Sequence, residues 1–145
     1  MKIKLMNPED LSQVAEIEKQ IFSVPWSEKA FKESVESENT IYIVAKENEK
    51  VLGYAGMYVS FEEGSITNIA VDIEVRRRGI GRKLIADILD KANERGVEKI
   101  FLEVRETNEP AIALYEKMGF EKNGIRKNFY EKPLENAIIM WKHQL

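Results

Sequence analysis

Val75-Arg76-Arg77-Arg78-Gly79-Ile80-Gly81-Arg82-Lys83-Leu84 stands between two segments of different hydrophobic rhythm. Before it, Ser65 to Ile73 is rich in β-branched residues and reads as a strand. After it, Leu84, Ile85, Ile88, Leu89 and Ala92 recur at helical spacing, and Gly96 is placed to end that helix. The stretch is therefore a strand-to-helix turn. Glycines let backbone amides approach a ligand closely, and the first turn of a helix adds unpaired N–H groups and the positive end of a dipole. A pyrophosphate cradle fits this pattern, and so does an ordinary turn with solvated arginines. Two rival phosphate motifs are excluded. A dinucleotide fingerprint needs a third glycine where Leu84 stands, and a Walker loop needs more widely spaced glycines followed by lysine.

Downstream of the turn, Lys99 to Val104 reads as a strand. Thr107-Asn108-Glu109-Pro110 opens a helix that carries Ala111, Leu114, Tyr115 and Met118 on one side and ends at Gly119. Phe120 to Arg126 and Ala137 to Trp141 supply two closing strands. Upstream, Ile3 and Leu5 alternate in a first strand, and Asn7-Pro8 precedes a helix marked by Leu11, Val14, Ile17, Ile21 and Phe22. Pro25-Trp26-Ser27 caps a second helix, which carries Phe31 and Val35 and ends near Ser37. Thr40 to Ala45 and Val51 to Ser60 read as strands joined by the polar turn Lys46 to Lys50. The succession implies an α/β or α+β fold, a mixed sheet covered by helices on both faces. No linker or repeat divides the 145 residues, so one domain over 1–145 is expected, and the 43% hydrophobic content is ample for its core.

Composition narrows the chemistry. The net charge of −3 does not supply the basic field that nucleic-acid binding requires, so DNA and RNA are not expected partners. The absence of cysteine excludes a cysteine nucleophile, cysteine-ligated metals and disulfides, and the single histidine, His143, excludes a multi-histidine metal site. The N-terminal residues lack the apolar core of a signal peptide, and no run reaches membrane-spanning length. A cytoplasmic protein without a membrane partner is the expectation.

Two side chains stand out against their surroundings. Glu103 interrupts the apolar run of its strand, where a carboxylate must either find a partner such as Arg105 or serve a function. Tyr115 lies on the apolar stripe of its helix, which fits a core tyrosine as well as a functional one.

Taken together, Arg76-x-x-Gly79-x-Gly81 after Asn68-Ile69-Ala70-Val71, then Leu102-Glu103-Val104-Arg105, Asn108 and Leu114-Tyr115-Glu116-Lys117-Met118-Gly119-Phe120 resemble the GNAT acetyltransferase superfamily. Pro25-Trp26-Ser27, Gly53-Tyr54 and the segment from Tyr130 to Met140 resemble its RimI branch, the ribosomal-protein N-terminal alanine acetyltransferases. That resemblance implies a mostly antiparallel central sheet with splayed middle strands. It implies that the backbone of Ile69, Ala70 and Val71 pairs with the pantetheine arm of acetyl-coenzyme A by strand addition. By the same resemblance the amides of Arg77, Arg78, Gly79, Ile80, Gly81 and Arg82 hold its pyrophosphate, and Asn108 bonds the arm. Glu103 then matches the general base and Tyr115 the general acid, with no metal required. Trp26, Tyr130 and Glu135 match the loops beside the acceptor cleft, the two aromatics as walls and the carboxylate as an attraction for an ammonium group. Thr107, Phe129-Tyr130 and Asn136 depart from the family's commoner residues, all on the acceptor side.

The implied acceptor is a protein N-terminus, that of a ribosomal protein or of a broader set, attacked directly in a ternary complex. A small-molecule amine, a protein lysine, a catalytically idle acyl-coenzyme A sensor and an RNA-binding module are the alternatives, and the oligomeric state is left open.

Overall fold

The computed structural model describes residues 1–143. Seven strands form one sheet, β1 (Lys2–Leu5), β2 (Thr40–Glu47), β3 (Lys50–Ser60), β4 (Glu63–Val71), β5 (Lys99–Arg105), β6 (Glu121–Glu131) and β7 (Leu134–Lys142), in the spatial order β1-β2-β3-β4-β5-β7-β6. Every neighbouring pair is antiparallel except β4 with β5. The two terminal strands were expected to be short. They instead make a long hairpin, because β6 is an exposed edge whose charged sequence shows little alternation while its backbone still pairs with β7.

Four α-helices among the described residues cover the sheet: α1 (Leu11–Ile21), α2 (Glu28–Glu36), α3 (Ile80–Glu94) and α4 (Glu109–Lys117). Leu84, Ile85 and Ile88 of α3 and Ile112 and Tyr115 of α4 bury against Ile43, Leu52, Ile100, Leu102 and Met140. Val14 and Ile17 of α1 and Phe31 of α2 bury against Tyr42, Val44 and Tyr54. Helices thus lie on both faces, and β3 between them is buried on both sides over most of its length.

Local chemistry sets the helix ends. The expected start at Asn7-Pro8 is a 3-10 turn, Pro8–Asp10, that runs into α1, and the Asp10 carboxylate accepts the Asn7 N–H at 2.9 Å. Ser27 Oγ accepts the Ala30 N–H at 3.1 Å at the start of α2. α3 and α4 both end in a left-handed glycine, Gly96 with φ 82° and Gly119 with φ 95°. In each the following N–H turns back onto the helix, Val97 to Ala92 O and Phe120 to Tyr115 O, both at 3.0 Å.

The feature that shapes the site is a single extra residue. Gly56 pairs with Asn68 and Met57 with Ile66, so Thr67 has no partner on β3 and β4 is bulged there. The parallel ladder between β4 and β5 covers only Glu63–Ser65 against Lys99–Phe101. Beyond it the strands part, and the β5-facing edge of Ile66–Val71 is left without ladder partners. Tyr42 braces the bulge. Its ring lies across Gly56, and its hydroxyl meets Thr67 Oγ1 at 3.0 Å and Asn68 Oδ1 at 3.1 Å. A Cβ at residue 56 would stand inside that ring.

Gly56→Ala should therefore destabilise the fold by about 1–3 kcal/mol, the usual cost of overpacking a filled core. It should also weaken coenzyme A binding in the molecules that remain folded. Urea unfolding and titration calorimetry measure the two effects, and a stable variant with unaltered affinity would show that the bulge needs no such brace.

Candidate active site

The turn between β4 and α3 presents its backbone rather than its side chains. Gly79 has φ 75° and Arg77 φ 68°, and these left-handed residues rotate the turn so that consecutive amides face outward. Among the described residues, nothing accepts a hydrogen bond from the N–H groups of Arg77, Arg78, Gly79, Ile80, Gly81 or Arg82. The first bond at this helix start runs from Lys83 N to Gly79 O at 3.1 Å. Two of the arginine side chains are engaged elsewhere: Arg78 pairs with Glu47 at 2.9 Å, and Arg76 Nε points to Val71 O at 3.4 Å. Six free amides at the positive end of a 15-residue helix fit a pyrophosphate. A Cβ at Gly81 would make only ordinary contacts with Leu114 and Val71, so the protein's own packing does not demand glycine there.

The open edge of β4 leads from this turn to the C-terminal half of β5. Alternation along β5 sends Leu102 and Val104 into the core under α3 and places Phe101, Glu103 and Arg105 on the opposite face. Glu103 is paired, and of the two partners the sequence reading allowed, Arg105 or another cation, it is another cation. Arg126 Nε of β6 stands 3.2 Å from Glu103 Oε2, with the Glu103 side chain 19% exposed and that of Arg126 53%. Two residues on the same strand and pointing the same way, Glu103 and Arg105, are thus given different partners by the hairpin beside them.

Arg105 is where the hairpin is fastened. Its Nη1 donates to Glu135 Oε1 at 3.1 Å and to Pro133 O at 3.0 Å, and its guanidinium lies 4.3 Å from the centre of the Tyr130 ring. Glu135 Oε2 also accepts from Thr107, at 2.6 Å from the hydroxyl and 2.9 Å from the amide. Those bonds, the hydroxyl first, then the amide and Arg105, hold the Glu135 carboxyl below its usual range. Both its oxygens are engaged within the chain, so its first task is structural. Tyr130 is half-buried beside Glu103. Burial, with the negative charges of Glu103 and Glu135, pushes its phenol up to about 12 against the opposing effect of Arg105.

Tyr115 is buried on α4, its ring 5.9 Å from that of Phe120. It makes no side-chain hydrogen bond among the described residues, where no buried side-chain polar atom lacks a partner, so its hydroxyl opens onto solvent-reached space. Burial pushes its phenol up, and Tyr130 adds to the shift. Asn108 caps α4 through Oδ1, which accepts the Ala111 N–H at 3.3 Å, leaving its NH2 group to donate elsewhere. Trp26 lies in the loop between α1 and α2, its ring 5.3 Å from that of Phe31. Its N–H donates to the buried Glu18 carboxylate at 3.0 Å, and Glu18 also accepts from Tyr54 Oη. That pair explains the Gly53-Tyr54 motif locally: the tyrosine reaches across the core to fix the carboxylate that holds the Trp26 loop.

An acetyltransferase (GNAT) family model matches residues 11–120. The chain belongs to the GNAT acetyltransferase family. As a member it is an acetyl-coenzyme A-dependent N-acetyltransferase, and the free amides and open strand edge fit that cosubstrate. The chain is 39% identical over 140 residues to the [ribosomal protein bS18]-alanine N-acetyltransferase of Escherichia coli K12, covering 95% of this chain and 94% of the relative. It superimposes on the crystal structure of the ribosomal-protein-S18-alanine N-acetyltransferase from Escherichia coli with a TM-score of 0.90 at 36% identity, over 99% of this chain and 94% of that one. Ard1 from Thermoplasma volcanium matches with a TM-score of 0.91 at 27% identity, over 99% and 97% of the two chains.

Sequence reasoning named Arg105 beside Glu103 but missed its contacts with the β6–β7 hairpin, and it missed Arg126, which comes from an edge strand whose register nothing in its sequence pins. Glu135 yields a pH test. Because its folded value is lowered, the stability it contributes is complete above the ordinary carboxylate range and is lost as pH falls through the lower folded value. Between about pH 5 and pH 3 the parent protein should lose more stability than Glu135→Gln. Parallel melting curves for the two across that interval would detach Glu135 from the acid response.

Proposed function

We propose that this enzyme acetylates the N-terminal α-amine of a protein, with a ribosomal protein beginning in a small residue as the favoured acceptor. The observation that carries the reading is the meeting of Glu103, Tyr130 and the Arg105-bound hairpin on the open face of β5, where the strands part. The relatives named for acetylating an alanine N-terminus of a ribosomal protein, matched along nearly the whole chain, support it. That match, reaching beyond the family core, also supports treating 1–145 as one acetyltransferase domain.

Bound acetyl-coenzyme A supplies an acetyl thioester ready for attack by an amine. The amides from Arg77 to Arg82 would hold its pyrophosphate, Ile69 to Val71 and the Asn108 NH2 group its arm. An α-amine has a pKa of about 8 and is mostly protonated at neutral pH, so it must lose a proton before it can attack. Glu103 takes that proton, directly or through a water. Arg126 holds one carboxylate oxygen, Oε2, and leaves Oε1 to the acceptor. Tyr115 keeps its proton at neutral pH, as an ordinary phenol does, and burial pushes its phenol higher still. A thiol near about 8.5 is the stronger acid of the two, so Tyr115 Oη serves the departing thiolate chiefly by hydrogen bonding. Tyr130, and Trp26 across the cleft, would wall the space in which an extended N-terminus lies.

Incubation with acetyl-coenzyme A and a library of peptides varied at their first residues, read by mass spectrometry, tests the acceptor. Modification confined to α-amines of small first residues is expected, and modification of internal lysines only would overturn the reading. Glu103→Gln should lower kcat by about a hundredfold or more, and Tyr115→Phe by about tenfold to a thousandfold, each with acetyl-coenzyme A affinity preserved. Turnover at the parent rate in either variant would remove that residue from the chemistry. Gly81→Glu should weaken coenzyme A binding through bulk and charge beside the cradle, and Gly81→Ala should fold normally, since its Cβ has room. Calorimetry showing parent affinity in Gly81→Glu would move the pyrophosphate elsewhere.

A further inference from the structure

The sequence offered Arg105 only as a partner for Glu103, a place that Arg126 takes, and the catalytic scheme assigns it no task, yet its guanidinium has several partners among the described residues. Its Nη1 donates to Pro133 O at 3.0 Å and to Glu135 Oε1 at 3.1 Å, and its Nη2 lies 3.4 Å from Lys132 O. Lys132 and Pro133 form the turn between β6 and β7, and Glu135 is the second residue of β7. The flat face of the same guanidinium lies 4.3 Å from the Tyr130 ring centre. Nη2 also reaches Ser23 Oγ in the α1–α2 loop at 3.5 Å, the outer limit of a hydrogen bond, so the opposite lip of the cleft is touched only lightly. The side chain is 26% exposed and Glu135 11%, which shields the pair from much of the screening that weakens surface ion pairs.

From this geometry we infer that Arg105 is a positioning residue for the acceptor: its guanidinium fastens the β6–β7 turn to β5 and holds the Tyr130 ring beside Glu103. The inference rests on the acceptor reading for its kinetic consequence, and on the contacts alone for the fastening. Arginine suits the task because a planar fork satisfies several in-plane acceptors while its face stays free for an aromatic ring. A lysine ammonium is a point charge on a flexible stem, so Arg105→Lys keeps the charge and loses both the fork and the stacking. On the cofactor side Asn108 donates its backbone N–H to Arg105 O at 2.9 Å, a main-chain bond that Arg105→Lys keeps, so that half should not register the change.

The test compares the parent enzyme with Arg105→Lys and with Tyr130→Leu, which removes the ring but leaves the hydrogen bonds. In Arg105→Lys, hydrogen–deuterium exchange across residues 131–135 should accelerate by about tenfold or more, with the thermal midpoint nearly unchanged. The Michaelis constant for an alanine-initiated peptide should rise by about tenfold, and that for acetyl-coenzyme A should stay within about twofold. Tyr130→Leu should reproduce the rise for the peptide without the accelerated exchange. Unchanged exchange in Arg105→Lys overturns the fastening. Equal rises for both substrates with a lowered thermal midpoint also overturn the inference, because Arg105 would then merely stabilise the fold. If the parent enzyme fails to acetylate the peptide at all, the acceptor reading falls, and the exchange measurement alone decides whether Arg105 fastens the turn.

Discussion

One residue too many in β4 is the constraint on which the rest of the molecule depends. With Thr67 inserted, β4 cannot keep pairing with both neighbours. The antiparallel ladder to β3 resumes after the bulge, while the parallel ladder to β5 ends at Ser65 and Phe101. A gap in a central sheet exposes unpaired backbone groups, a liability in any other setting. Here the defect is braced from one side by Tyr42, whose position requires glycine at 56, and flanked on the other by β5, which β7 pairs from Ile100 to Arg105. The opening is thus an imposed feature with its own supporting contacts.

The two halves that we propose for that opening, one for the cofactor and one for the acceptor, are built from different materials. The cofactor half is backbone: an open strand edge followed by a run of amides that two left-handed residues turn outward at the start of α3. Backbone donors need no rotamer to be fixed and present the same groups whatever side chains surround them, so the exposed arginines can point elsewhere. The acceptor half is side chain. Glu103, Arg105, Arg126, Tyr130 and Glu135 come from β5 and the β6–β7 hairpin, and each depends on another member for its place.

This division explains what could be read from the sequence. The turn at Arg76 to Gly81 was legible because glycine at 79 and 81 between a strand and a helix has few backbone solutions. The helix ends at Gly96 and Gly119 were legible for the same reason. Glu103 was legible as an anomaly, a carboxylate in an apolar run, but its partner was not. The choice between Arg105 and Arg126 depends on the register of an edge strand with two irregularities against β7, and no local pattern encodes that. The bulge at Thr67 escaped notice too, since β-branched residues continue through it without a break in rhythm.

Trp26 shows how far a single motif can mislead or inform. An aromatic in a loop beside the cleft suggests a wall for the acceptor, and in the structure its ring packs on Phe31 while its amide is tied to the buried Glu18. The two roles are compatible. A wall residue that must exclude water from an attacking amine has to be held still, and a carboxylate buried with Tyr54 Oη as its other partner is a rigid anchor, because leaving either partner unpaired in the core would cost about 1–3 kcal/mol. The hairpin across the cleft is fixed by a different device, a partly exposed guanidinium fork rather than a buried carboxylate. The Trp26 wall that we propose is therefore set by the core, and the Tyr130 wall by contacts at the surface. Substitutions that adapt the enzyme to a new acceptor would meet less resistance on the hairpin side, where they disturb no buried charge.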